Sequence, residues 1–190
     1  MKLIIASNNK HKIHEIKKIL GTKFGEILSL SEAKIDHETV EDGETFIDNA
    51  FKKAREIARI SGCASLADDS GICVDALDGA PGVYSARFSG VHGNDEDNNK
   101  LLLEKLDGVS DRGAHYTCAV ALVYPDGREI FAEGYMYGSI TEAPRGSAGF
   151  GYDPLFVPKG KTCTVAEMTE DEKNAISHRK NALSALLEKL

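Results

Sequence analysis

Residues 7–12 read SNNKHK, two amides, a hydroxyl and three potential cations set between the apolar stretch LIIA and the periodic stretch IHEIKKIL. Ser7, Asn8, Asn9, Lys10, His11 and Lys12 therefore stand at the joint of an expected strand and an expected helix. The first N–H groups of a helix have no partners within it, and the helix dipole is positive there. Such a joint suits an anion, a phosphate above all. It is not a Walker A loop, because G-x-x-x-x-G-K-[ST] is missing, and the chain has no G-x-G-x-x-G fingerprint.

Two acidic stretches could supply the opposite chemistry. Asp68 and Asp69 are adjacent, after an apolar run and ahead of Ser70-Gly71. In extended backbone, neighbouring side chains point to opposite faces, so one carboxylate can face a site while the other braces the chain. With a third carboxylate from the acidic turn of Glu41, Asp42 and Glu44, they would suit Mg²⁺, which takes one or two carboxylates together with waters and substrate phosphates. Local sequence also allows plainer readings: D-D-S-G makes a good turn, and residues 41–44 a solvated helix start. Lys53 lies two turns into the helix that follows.

Two later stretches suit a base. Phe150, Gly151, Tyr152 and Asp153 place aromatics, a flexible glycine and an acid in one loop, fit for stacking on a ring and bonding its edge. A core Phe in a tight turn is the competing reading. Lys173 and Ser177 are four residues apart on an expected helix, with His178 and Arg179 next to them, so that they could grip a phosphate or a base. Alone, they would equally form an exposed polar face. His11 and His14 could bind metal at their spacing, but read more simply as exposed helix residues.

These residues need elements to position them. Lys2–Ser7 reads as a buried strand. Ile13, Ile16, Ile19 and Leu20 give a helix capped by Asn8 or Asn9 and stopped by Gly21. A second strand is expected at 26–30, and a helix near 45–61 ends at Gly62. Residues 64–77 predict strand, turn and strand, with D-D-S-G as the turn. Residues 79–94 hold too many Gly and Pro for a regular element and form a long structured loop. A helix covers 95–106. Residues 114–140 form a hairpin around Pro125-Asp126-Gly127. A Gly-rich loop spans 146–156, and the capping box from Thr169 to Glu172 opens one helix running to the C-terminus. The order is mixed α/β in a single domain, 1–190, with a long hairpin inserted.

The bulk composition narrows the function. The 190 residues are 42% hydrophobic, enough for an ordinary core, and no apolar run approaches the roughly 20 residues of a membrane helix. The N-terminal apolar stretch is too short for a secretory signal, so a cytoplasmic protein with no membrane partner is expected. Four scattered cysteines without C-x-x-C read as reduced, mostly buried thiols. A formal charge of −7 argues against a general nucleic-acid surface, so any positive charge that meets an anion must be local.

Taken in order, SNNKHK, VEDGETFIDNAFKKA, ADDSG, GAPGVYSARFSG, GFGYDPLF and EKNAISHR resemble the inosine/xanthosine triphosphate pyrophosphatases, the Ham1-like family. The likeness covers nearly the whole chain. It implies an α/β fold built on an elongated mixed sheet, with two lobes flanking a central nucleotide-binding cleft. It also implies a homodimer and Mg²⁺-dependent hydrolysis of ITP, dITP and XTP to the monophosphate and pyrophosphate. By this resemblance Ser7, Asn9 and Lys12 fall on the triphosphate turn. Asn8 stands where many members carry Gly. Glu41 and Asp69 fall on the metal carboxylates, with Asp68 an adjacent ligand and Asp69 also the base. Ser70, Phe150, Gly151, Tyr152, Asp153, Lys173, His178 and Arg179 fall on substrate contacts, and Lys53 is placed with them. His178, Arg179 and backbone N–H groups of F-G-Y-D are the expected donors to a 6-oxo purine. Competing readings are a Maf-like pyrophosphatase of other base specificity, a nucleotide-binding module without catalysis, and a single-strand nucleic-acid binder, which the charge opposes.

Overall fold

A computed structural model describes residues 2–21 and 23–190. The elements are β1 (Lys2–Ile5), α1 (Lys10–Leu20), β2 (Glu26–Ser29), α2 (Phe46–Ser61), β3 (Ala64–Val74), α3 (Asp95–Lys105), β4 (Gly113–Val123), β5 (Glu129–Ile140), β6 (Phe156–Pro158), α4 (Glu170–Ile176) and α5 (His178–Leu187). Six strands form one sheet in the order β2-β1-β3-β4-β5-β6. β1 runs parallel to both β2 and β3, whereas β5 and β6 are antiparallel, so the fold is mixed α/β. Among the described residues no helix is long and apolar enough to cross a membrane.

The chain divides into two compact units. The first comprises residues 1–69, 118–134 and 179–190, the second 70–117 and 135–178. The first has two apolar layers, and the period of two along β1 explains them. Leu3 and Ile5 join Ile16 and Leu20 of α1, Leu66 of β3 and Leu183 and Leu186 of α5. Ile4 and Ala6 join Ala50, Ala54, Ile57 and Ala58 of α2. The second unit has its own core, with Ile72, Val74, Leu102, Tyr116, Ile140 and Phe156 among its members.

Most local signals fold as their chemistry suggests. Asn9 caps α1, accepting from the His11 and Lys12 N–H groups, and Gly21 ends it at φ +51. Thr45 caps α2, which stops at Gly62 in the left-handed region. β4 and β5 are sheet neighbours joined by a tight turn in which the Gly127 N–H donates to the Tyr124 carbonyl over 3.0 Å.

Two expectations are corrected. D-D-S-G is not a turn: β3 is continuous from Ala64 to Val74 and buried along most of its length. The aspartates are tolerated inside the sheet because helices on either side bring cations and an amide to them. The C-terminal helix is also not continuous, because Ser177 adopts extended dihedrals (φ −64, ψ 147) that end α4 before α5 begins. Lys173 and Ser177 therefore do not share one unbroken helix face. Within residues 79–94 the loop folds into a short 3₁₀ turn, Gly82–Arg87, tied down by Ser85, whose hydroxyl accepts from the Ile72 N–H at 2.9 Å. None of the four cysteines is in a disulfide; Cys118 is buried, and the other three are half-buried rather than buried as expected.

Candidate active site

The first unit gathers its charges on the two faces of β3. Asp68 follows Ala64 and Leu66 in the two-residue period and faces the layer of α1 and α5. Lys12 Nζ of α1 lies 3.3 Å from Asp68 Oδ2, and Arg179 Nε of α5 donates to the same oxygen at 3.1 Å. Arg179 also pairs through Nη1 with Glu15, one turn after Lys12 on α1. Arg179 is 1% exposed, and the Asp68 side chain is fully enclosed. Burial alone would raise the Asp68 pKa, but the Lys12 and Arg179 charges outweigh it and hold the carboxyl well below the usual range. Asp68 Oδ1 has no hydrogen-bond partner among the described residues.

Asp69 turns the other way, onto α2. Asn49 Nδ2 donates to Asp69 Oδ2 at 3.0 Å, and Lys53 Nζ lies 3.8 Å from Asp69 Oδ1 and 2.7 Å from Glu41 Oε1. Asn49 and Lys53 are four residues apart, so one helix face delivers both. Burial is the main reason the Asp69 pKa stands above the ordinary carboxylate value, and the nearby Glu41 charge adds to it. Glu41 is shifted down, since the Lys53 charge and hydrogen bond overcome its burial. Lys53 is itself shifted up despite burial, because Asp69 and Glu41 surround it with negative charge. Asn49 also accepts from the Gly43 N–H at 2.8 Å, tying the acidic turn to the base of this cluster. A Cβ on Gly43 would lie 2.7 Å from that amide oxygen, so the close approach requires glycine.

These residues fit a hard divalent cation of the Mg²⁺ type. No three His, Cys, Asp or Glu side chains among the described residues close around one point. Mg²⁺ does not need such a cage, since it keeps waters and takes phosphate oxygens. Glu41 and Asp69 flanking one ammonium supply oxygen donors of the right kind, whereas Asp68, expected as an adjacent ligand, turns its carboxylate to the other face of β3, toward Lys12 and Arg179.

The 7–12 joint is built differently from its expectation. The Asn9 carboxamide oxygen takes the N–H groups of His11 and Lys12 at 3.0 and 3.1 Å, and the Ser7 hydroxyl takes the Asn9 N–H at 3.2 Å. Two of the helix-terminal amides offered to a phosphate are thus occupied by the chain itself. Asn8 reaches the His37 carbonyl at 3.5 Å, and Asn8, Lys10 and His11 are exposed. Lys12 is the member of the joint that the structure brings to the aspartates.

The second unit holds a separate cluster around Asp153. This buried carboxylate accepts from Lys173 Nζ at 2.8 Å, the Tyr116 hydroxyl at 3.3 Å and the Phe150 N–H at 3.0 Å. Lys173 Nζ also sits 4.4 Å from the centre of the Phe150 ring. His178 stacks on Tyr116, with ring centroids 4.7 Å apart and planes 12° from parallel. The Tyr152 hydroxyl donates to the Ser85 carbonyl at 2.8 Å, which makes Tyr152 a support of the loop. Ser70, half-buried in β3, is the first residue of this unit. Two of the expected base donors have partners within the chain. The Phe150, Gly151 and Asp153 N–H groups already have acceptors in Asp153, Asp95 and the Phe150 carbonyl, and Arg179 is enclosed between two carboxylates in the first unit.

Comparison with known proteins adds the lineage. Residues 3–189 match the model of the Ham1 family. The chain belongs to that family. A relative from Clostridium perfringens, called a dITP/XTP pyrophosphatase, is 54% identical over 198 residues, covering 100% of this chain and 97% of the relative. One of the same description from Geobacter sulfurreducens is 47% identical, covering 100% of this chain and 96% of its own. Among solved structures, the Mycobacterium abscessus nucleoside-triphosphatase, described also as a dITP/XTP pyrophosphatase, is 48% identical with a TM-score of 0.80, over 98% of this chain and 99% of that one. The Staphylococcus aureus Ham1 protein is 37% identical with a TM-score of 0.89, over 100% of this chain and 99% of that one.

Motif reading passed over three residues at these clusters, two of which carried a signal. Glu15 and Asn49 are polar residues at positions whose helical period demands apolar ones, beside Ile16 and Ala50. Tyr116 lies in an alternating strand and gave no signal beyond its hydroxyl.

Proposed function

We propose that this Ham1-family chain hydrolyses purine nucleoside triphosphates with non-standard bases (ITP, dITP and XTP) to the monophosphate and pyrophosphate. The observation that carries the reading is Asp69, a buried carboxylate of raised pKa held by Asn49 beside Lys53 and Glu41. The activity of close relatives supports it.

Asp69 is the general base. A buried carboxylate next to the attacked phosphate can take a proton from water, and the Asn49 amide holds one of its oxygens. Lys12 and Lys53 are the cations for the phosphates, and Ser7, Asn8, Asn9, Lys10 and His11 line the turn that leads to Lys12. Glu41 and Asp69 would hold Mg²⁺, while Asp68, turned to the other face of β3, meets Lys12 and Arg179; when bound, the ion would neutralise phosphate charge and polarise the phosphorus under attack. Arg179 anchors Asp68, and a direct contact with substrate would require it to leave Asp68 or Glu15.

In the second unit Phe150 offers a ring face for the base, and Ser70, Gly151, Tyr152 and Asp153 build the surrounding wall. His178 and Lys173 are donors suited to a 6-oxo group. Adenine, with an amino group there, would leave such donors unpaired at about 1–3 kcal/mol each. We also assign a homodimer and a cytoplasmic location, the latter in keeping with four unpaired cysteines.

The test is pyrophosphate release from ITP, XTP, dITP, GTP and ATP, with Mg²⁺ and with a chelator. Fast metal-dependent release from ITP, dITP and XTP, with ATP far slower, upholds the reading, and no release from any of them ends it. Light scattering at micromolar concentration decides the dimer.

A further inference from the structure

Gly151 is held at both of its polar backbone groups by one helix face. Its N–H donates to Asp95 Oδ2 at 2.6 Å, and its carbonyl accepts from Asn99 Nδ2 at 3.0 Å. Asp95 and Asn99 are four residues apart in the first two turns of α3 and so present side by side. Gly151 itself lies in the left-handed region at φ +63, one of several conformations open to a glycine, so contacts from outside select it. We propose that Asp95 and Asn99 are positioning residues for recognition of the purine base. By clamping Gly151, they set the direction of Phe150 on one side of it and Asp153 on the other. The inference rests on the proposed role of the 150–153 loop in binding the base.

The geometry explains why a clamp is needed. Residues 146–151 carry three glycines, all at positive φ, and backbone of that kind has many conformations to lose on ordering. Lys173 fixes Asp153, and Ser85 fixes Tyr152 through its hydroxyl, but both lie after the glycine. On the N-terminal side, the Phe150 N–H reaches Asp153 Oδ2 only if Gly151 turns the chain back on itself. Asp95 and Asn99 hold that turn from outside the loop, at separations of 56 and 52 residues. The Phe150 ring is then presented in one orientation before any nucleotide arrives, which lowers the ordering cost of binding.

Two readouts test this on the full chain. The first is steady-state hydrolysis of ITP by Asp95→Ala, Asn99→Ala, Asn99→Asp and Asp95→Asn. Asp95→Ala and Asn99→Ala should raise KM about five- to tenfold with kcat within about twofold, as expected for one lost hydrogen bond. Asn99→Asp, which turns an acceptor toward the carbonyl, should be at least as impaired, while Asp95→Asn keeps an acceptor and stays near the parent. KM within about twofold of the parent in all four, or kcat falling as KM stays fixed, overturns the proposal. The second readout needs no substrate: amide hydrogen exchange across 146–153 should quicken in Asp95→Ala and Asn99→Ala while β1 and α2 stay unchanged. If the parent chain hydrolyses no purine triphosphate, the functional reading fails and the exchange result alone judges the clamp: faster exchange upholds it, unchanged exchange overturns it.

Discussion

Asp68 and Asp69 are consecutive in β3, yet their carboxylates answer to opposite helices: Asp68 to Lys12 of α1 and Arg179 of α5, Asp69 to Asn49 and Lys53 of α2. The result is a split pair. Asp68 is held ionised by two cations and Asp69 is raised by burial, so neighbours of one residue type meet opposite electrostatic settings, and in the proposed reading only Asp69 serves as the base.

Replacing Asp69 with Asn should leave the fold intact, since the amide is nearly isosteric and Asn49 can still reach its oxygen. Turnover of ITP should fall about 10²- to 10⁴-fold, the usual share of a general base. Pyrophosphate release together with a thermal melt checks this. Unchanged turnover would remove Asp69 from the chemistry.

Asn49→Ala breaks the bridge from the Gly43 N–H to Asp69 and takes one hydrogen bond from each, the first part-buried and the second buried. We expect a loss of about 1–3 kcal/mol in stability, together with a lower kcat. Urea unfolding gives the first and initial rates the second. A drop in stability with kcat preserved would make Asn49 a structural residue only.

Arg179→Met takes the guanidinium away from two buried carboxylates, Glu15 and Asp68, and leaves Asp68 with Lys12. The expected cost is about 3–5 kcal/mol, because one buried cation shared by two enclosed carboxylates is removed. Lys at this position should rescue only in part, as one ammonium cannot donate to both acids in the geometry of the guanidinium fork. The comparison of midpoints in urea is decisive, and an Arg179→Met protein as stable as the parent would refute the pairing.

The pH dependence of stability follows from the sign of the Asp68 shift. Its folded pKa is depressed below the ordinary 3.8, so its contribution is fully present above that value and is lost as the pH falls through the lower folded value. The melting temperature should therefore drop steeply below about pH 4, and Asp68→Asn should flatten that part of the profile. A parallel profile in the variant would show that other carboxylates govern acid unfolding.

Gly149 sits at φ +80 with the Asp153 carboxylate against its α-carbon, and a Cβ there would collide with Asp153 Oδ2. Gly149→Ala should push Asp153 off Lys173 and raise the KM for ITP more than it lowers kcat. Kinetics over a range of ITP concentrations tests this. A KM equal to that of the parent would place the Asp153 cluster outside the nucleotide site.

The amino-acid sequence by itself determined the elements and the inventory of reactive groups. Periodicity marked α1 and α2, Thr45 and Gly62 set the ends of one helix, Pro125-Asp126-Gly127 turned β4 into β5, and six ordered motifs carried the family resemblance. These are short-range signals, written within one or two turns of chain. Only the tertiary structure decided what each group would meet. D-D-S-G has local turn chemistry, but becomes strand because Arg179, 111 residues away, and Lys12 supply the charge that a buried Asp68 requires. One helix reading to the C-terminus breaks at Ser177, so that Lys173 packs on Asp153 while Arg179 packs on Asp68. Side-chain direction in a strand alternates whatever the residue type, so the order of letters gives Asp68 and Asp69 opposite faces but cannot say which face is which. That was settled by the helices that cover them, whose positions depend on burying Leu3 and Ile5 on one side and Ile4 and Ala6 on the other.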